Sequence, residues 1–144
     1  MKLFLLAAAA LLLPAADLGE TKTVYLLPMS NGLDQFLAIK LTSAAVMQVV
    51  TDPKKADAIL TDHIGTSFEH KLDELYGKKE KPEDSARTGM ENGSRGRGAI
   101  FLVDRKTRDV IWSAYERPKS SAPDDMSHTA EKIAQKLEKD RKGK

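Results

Sequence analysis

Two apolar runs, AIFLV at 99–103 and VIWSAY at 110–115, are separated only by Asp-Arg-Lys-Thr-Arg-Asp. Short runs rich in β-branched and aromatic residues, joined by a brief polar stretch, fold as a β-hairpin. Asp104 opens the turn, where its carboxylate can accept backbone N–H groups two residues on. An acid–base pair made of Asp104 and Asp109 would need a sheltered cleft that drives the two pKa values apart. Arg105, Lys106 and Arg108 instead keep the tip in water, so the charged knot is a turn. Trp112, the one tryptophan, is expected to bury its ring under a helix.

The hairpin follows a segment that alternates strand and helix. Residues 22–27 read as a strand ended by Pro28, and Ser30-Asn31-Gly32 makes a turn into a helix. Leu33, Phe36, Leu37, Leu41 and Ala44 fall on one side of that helix at three- and four-residue steps, with Asn31 the expected N-cap. A short strand at 46–50, a turn opened by Asp52-Pro53 and a third strand at 56–64 come next. Thr66 and Glu69 have capping-box spacing before a helix whose apolar face is Phe68, Leu72, Leu75 and Tyr76, and Gly77 ends it. The last helix follows Pro123. Its expected capping pair is Ser121 and Asp124, its buried stripe Met126, Ala130, Ile133, Ala134 and Leu137, and its tail frays past Asp140.

The fold class predicted is therefore α+β, in the order β-α-β-β-α-(loop)-β-β-α. About five strands form a mixed sheet, with three helices packed mainly on one face. The loop in that order is the segment 77–98, in which Met90 is the only large apolar side chain. Such a stretch cannot bury enough surface to offset its ordering entropy, so a flexible charged loop is expected there.

The amino end sets the location. Lys2 precedes an unbroken apolar run at 3–13, followed by Pro14-Ala15-Ala16, which is the pattern of a secretory signal peptide over residues 1–16. The run is about half the ~20 residues that span a bilayer, so no transmembrane anchor is expected after cleavage. No cysteine occurs, which removes both disulfides and a lipoprotein acceptor thiol. Of 23 basic residues only Lys2 leaves with the leader, against 21 acidic residues that all remain. That near balance argues against nucleic acid as a partner. The remainder, residues 22–140, suits one α+β domain of a periplasmic or secreted protein.

Few residues point to chemistry. Asp62, His63, Glu69, His70 and Asp73 crowd a strand-to-helix junction and could converge on a metal. No H-E-x-x-H occurs among them, and a solvated helix face with His70 paired to Glu74 explains them as well. No G-x-S-x-G elbow surrounds any serine, and Ser127 and His128 are helical neighbours that point apart. No catalytic, metal or cofactor residue is assigned. Lys78, Lys79, Lys81, Arg95 and Arg97 form the one candidate anion contact, in the charged loop.

The segments VYLLPMSNG, VVTDPKKADAILTD and FLVDRKTRDVIWSAYE resemble the amino-terminal domain of the periplasmic protein TolB and related small α+β domains of envelope-assembly proteins, including those near the curli-secretion lipoproteins. The likeness covers about residues 23–64 and 99–137. It implies a non-catalytic domain that docks on other envelope proteins, although no β-propeller segment and no lipoprotein cysteine accompany it here. The expected role is an exported binding or accessory component of the bacterial cell envelope, partnered by another envelope protein. The alternative is a binder of anionic envelope polymer or lipid surface through the basic loop, and a metal-assisted hydrolase comes third.

Overall fold

A computed structural model describes residues 17–77 and 98–143. The expected leader at 1–16 and all five basic residues of the expected anion contact lie outside the described residues. Five strands form one sheet: β1 (Thr23–Leu26), β2 (Gln48–Val49), β3 (Ala58–Thr61), β4 (Ala99–Asp104) and β5 (Val110–Tyr115), in spatial order β2-β1-β3-β4-β5. Both β2 and β3 run parallel to β1, which pairs with β3 through Val24–Ala58, Tyr25–Ile59 and Leu26–Leu60. β4 is antiparallel to β3 and to β5, so the sheet is mixed and the hairpin forms its far edge. Three helices, α1 (Leu33–Ser43), α2 (Thr66–Tyr76) and α3 (Pro123–Lys142), complete the α+β arrangement.

Side-chain alternation divides the core between the two faces of the sheet. Val24, Ala58, Leu60, Ile100, Leu102 and Trp112 point to one face and pack against Leu37 and Leu41 of α1 and Met126, Ile133 and Leu137 of α3. Tyr25, Ile59, Phe101 and Val103 point to the other, where Phe68 and Leu72 of α2 cover them. The helices thus lie on both faces, two against one, because β3 feeds α2 across the side that α1 leaves open. Each fully buried leucine or isoleucine contributes about 1.5–3 kcal/mol relative to exposure. Trp112 is 8% exposed and donates its indole N–H to Asp140 Oδ2 at 2.8 Å, which anchors β5 under α3 as expected.

The helix starts differ from the capping pattern in the sequence. Asn31 is not the N-cap of α1: it adopts φ 57 in a short 3-10 turn, and Gly32 at φ 72 precedes the helix without a side-chain cap. Asp34 takes up the neighbouring donor instead, accepting Met29 N–H at 3.0 Å. Gly65, not Thr66, is the N-cap of α2, which leaves Thr66 inside the first turn rather than in a capping box with Glu69. For α3 the polar link before the helix is Ser120 to Asp125 at 2.6 Å, and Ala122 is the N-cap, so the Ser121 and Asp124 pair is not used. Ala44 is exposed beyond the end of α1.

The carboxyl end also departs from expectation. α3 runs to Lys142, and the Arg141 guanidinium donates to Val46 O and, at 2.8 Å, to Thr21 O. Two carbonyls from the start of the fold therefore hold the last turn in place, where charge density alone suggests fraying. Among the described residues no helix is long and apolar enough to cross a membrane.

Candidate functional site

Three places gather polar or exposed groups. The first is the end of the sheet where β1 and β3 begin and the β4–β5 turn lies. Asp104 Oδ2 accepts Lys106 N–H at 3.1 Å and Thr107 N–H at 2.8 Å, so it shapes the turn as its sequence position predicts. The arginines beside it do more than hold the tip in water. Arg105 donates to Lys54 O and stacks over the Tyr76 ring at 5.1 Å, and Arg108 donates to Asp73 Oδ1 at 2.8 Å and to Gly77 O at 3.0 Å. They fasten the hairpin to α2. Asp57 accepts Lys22 N–H at 3.0 Å and Thr23 N–H at 3.2 Å. Burial pushes its pKa up, but those N–H groups, the Thr23 hydroxyl and Arg105 outweigh burial and hold it below the usual carboxylate range. An open cleft of about 360 Å³ lies here, where Lys54, Lys55, Arg105 and Lys106 face Asp17, Glu20, Asp57 and Asp104. Its four cations and four carboxylates balance, and it shows no preference for one sign of ligand.

The second place is the opposite end, between the β1–α1 and β3–α2 loops. In a sheet ordered β2-β1-β3, the parallel neighbours β1 and β3 send their following helices to opposite faces, and ligands of open α/β sheets favour crevices at such switch points. Here the crevice is tied shut. Asp62 is 6% exposed; its Oδ1 lies 2.7 Å from His63 Nδ1 and its Oδ2 accepts Ser30 N–H at 2.9 Å. Burial raises its pKa, and the bonds from His63 and Ser30 override that and keep it ionised below the ordinary range. An aspartate orienting a histidine is half of a hydrolytic relay, but the Ser30 side chain acts on Asp62, where it helps to lower the carboxylate pKa. Among the described residues no three acidic or histidine side chains gather as a metal site. Asp62 and His63 are together, Asp73 is taken by Arg108, and Glu74 pairs with Lys71 at 3.0 Å rather than with His70.

The third place is the β5 edge. Glu116 N–H donates to Gly98 O at 2.8 Å, which makes 98/116 a hydrogen-bonded pair of the antiparallel ladder. By alternation 100/114 is another, and the backbone groups of Ser113 and Tyr115 point away from β4. No strand pairs with β5 on that side among the described residues. α2 covers β1, β3 and β4 but stops short of β5, so Val110 is 47% and Tyr115 62% exposed, with Phe101 half-buried beside them. A free row of N–H and C=O groups next to apolar side chains is a template for one more strand. The irregularity between Leu102 and Val103 breaks the register at the Val110 end and confines the regular open edge to its carboxyl half.

In comparisons with protein families, curated proteins and solved structures, this chain matches none. The sequence located the hairpin but not its open side, since Val110 and Tyr115 look like ordinary strand residues until α2 is placed. Asp62 was legible as part of an acidic and histidine-bearing cluster. Its bond to Ser30, 32 positions earlier, depends on strand pairing and had no local signal.

Proposed function

We propose that this protein is a non-catalytic, exported binding or accessory component of the bacterial cell envelope, and that it holds an extended segment of another envelope protein along β5. The observation that carries the reading is the open edge: Ser113 and Tyr115 present backbone groups with no strand partner among the described residues, beside exposed Val110 and Tyr115 side chains. Main-chain hydrogen bonds supply affinity in this mode, and alternate side chains supply specificity. The apolar leader at 3–13 and the lack of cysteine support export as a soluble protein. The resemblance of its strand and turn segments to envelope-assembly domains supports the same role. The lack of a placed nucleophile, base and metal cluster among the described residues leaves binding as the simplest use of the fold.

The test is crosslinking in living cells with a carboxyl-terminal tag, comparing wild type with Ser113→Pro. Proline tolerates an edge position whose N–H faces away from the sheet, and it removes the donor a docking strand needs. A discrete envelope protein captured by wild type and lost in folded Ser113→Pro is the expected outcome. Equal capture by both removes β5 as the site.

A further inference from the structure

The crevice between β1 and β3 is closed by one carboxylate. Asp62, on the β3–α2 loop, bonds Ser30 on the β1–α1 loop, accepting its N–H at 2.9 Å. Its other oxygen fixes His63, whose ring meets Phe68 of α2 edge-on at 6.5 Å. The two loops leave the sheet toward opposite faces, since α1 packs on one side and α2 on the other. Both end in glycine-led helix starts without side-chain caps, and positive φ angles cluster there, at Asn31, Gly32 and Gly65. Loops of that kind have little holding them to one another except what crosses the gap.

We infer that Asp62 is a latch: it holds the β1–α1 and β3–α2 loops together, and its release opens this end of the sheet while the strands stay paired. The charged groups around it are few. His63 faces it from its own loop. Asp34, in the first turn of α1 just beyond the opposite loop, is committed to Met29 N–H at 3.0 Å and to the Gln35 amide at 2.9 Å. Among the described residues no second carboxylate is therefore bonded to Ser30. Opening frees the Ser30 N–H and the His63 ring, which the closed crevice keeps occupied.

Amide hydrogen exchange by NMR on the full-length mature protein tests this. Asp62→Ala is expected to speed exchange at Ser30, Met29 and Gly32 by roughly tenfold to a hundredfold, the effect of losing a hydrogen bond to a charged acceptor. Amides of β3 and β4 should keep their wild-type rates. Ser30→Pro attacks the latch from the other loop and suits the site because Met29 is already extended at ψ 161. It should raise exchange at Met29 and Gly32 to the same degree, and Asp62→Ala combined with it should add little, as expected for one shared bond. Asp62→Asn retains an acceptor and should restore part of the protection. Unchanged exchange at Ser30 in Asp62→Ala overturns the latch. A uniform rise across β3 and β4 also overturns it, since Asp62 then only adds to global stability.

Discussion

Gly98→Ala should be the most damaging single methyl group that can be added to this fold. Gly98 has φ +101, and a Cβ built on it lies 2.8 Å from Arg117 Cα, 2.8 Å from Glu116 O and 2.9 Å from Arg117 N. All three neighbours are backbone, so no side chain can swing aside to make room. Two costs combine. A left-handed backbone costs a residue with Cβ about 1–2 kcal/mol. Forcing a methyl group into closed space costs about 1–3 kcal/mol more, since the strands must separate locally. The expected loss is about 2–5 kcal/mol, against a total stability of about 5–15 kcal/mol for a small fold. Urea unfolding followed by Trp112 fluorescence measures it, with the midpoint falling and the slope unchanged. Gly19→Ala is the control, because its nearest neighbour is an Asp17 carboxylate oxygen at 3.9 Å and its φ is unremarkable. A loss below about 1 kcal/mol for Gly98→Ala would refute the reasoning, because backbone contact is the only mechanism here that could produce a larger one.

Other substitutions follow from bonds across elements. Arg108→Met should cost about 1.5–3 kcal/mol by urea unfolding, since it strands Asp73 and Gly77 O from a guanidinium whose side chain is only 13% exposed. Asp57 and Asp62 both have folded pKa values below the ordinary 3.8. The unfolded chain therefore binds protons first, and their contribution is full above that range and lost as pH falls through the folded values. Asp62→Asn should flatten the acid limb of a stability-versus-pH curve compared with wild type, and an unchanged limb would show that Asp62 does not contribute to it. Gly77, beside Arg108, and Gly98, beside Glu116, lie at opposite ends of β4. Replacing residues 78–97 with a two-residue linker, which reaches about 11 Å from Gly77 to Gly98, should abolish folding, because β4 alone is roughly 20 Å long. A Gly-Ser linker of about ten residues should restore the circular dichroism spectrum.

The strand and helix pattern was legible because it depends on local periodicity: Leu33, Leu37 and Leu41 repeat at helical spacing, and Ile100 and Leu102 alternate as a strand must. The mixed sheet followed from one hairpin beside one β-α-β unit. Capping was less legible, since Thr66 with Glu69 and Ser121 with Asp124 have the spacing of a capping box but the chain enters both helices one residue away from it. Sidedness was harder still. Whether α2 shares a face with α1 and α3 depends on which way the β3–α2 loop turns, and no periodicity within α2 records that. Arg105 and Arg108 looked like solubilising charges because their partners, Lys54 and Ala56 carbonyls, Asp73 and Gly77, come from distant segments. The open edge of β5 is a property of what fails to cover it, which a strand's own residues do not encode.

The Arg141 contacts tie the order of synthesis to the order of assembly. Val46 O is 95 positions from Arg141 and Thr21 O is 120 positions away. A ribosome releases these acceptors well before their donor, and α3 also supplies the apolar stripe that roofs Trp112 and Leu102. An emerging chain therefore has no way to seal its core until α3 has followed the strands out.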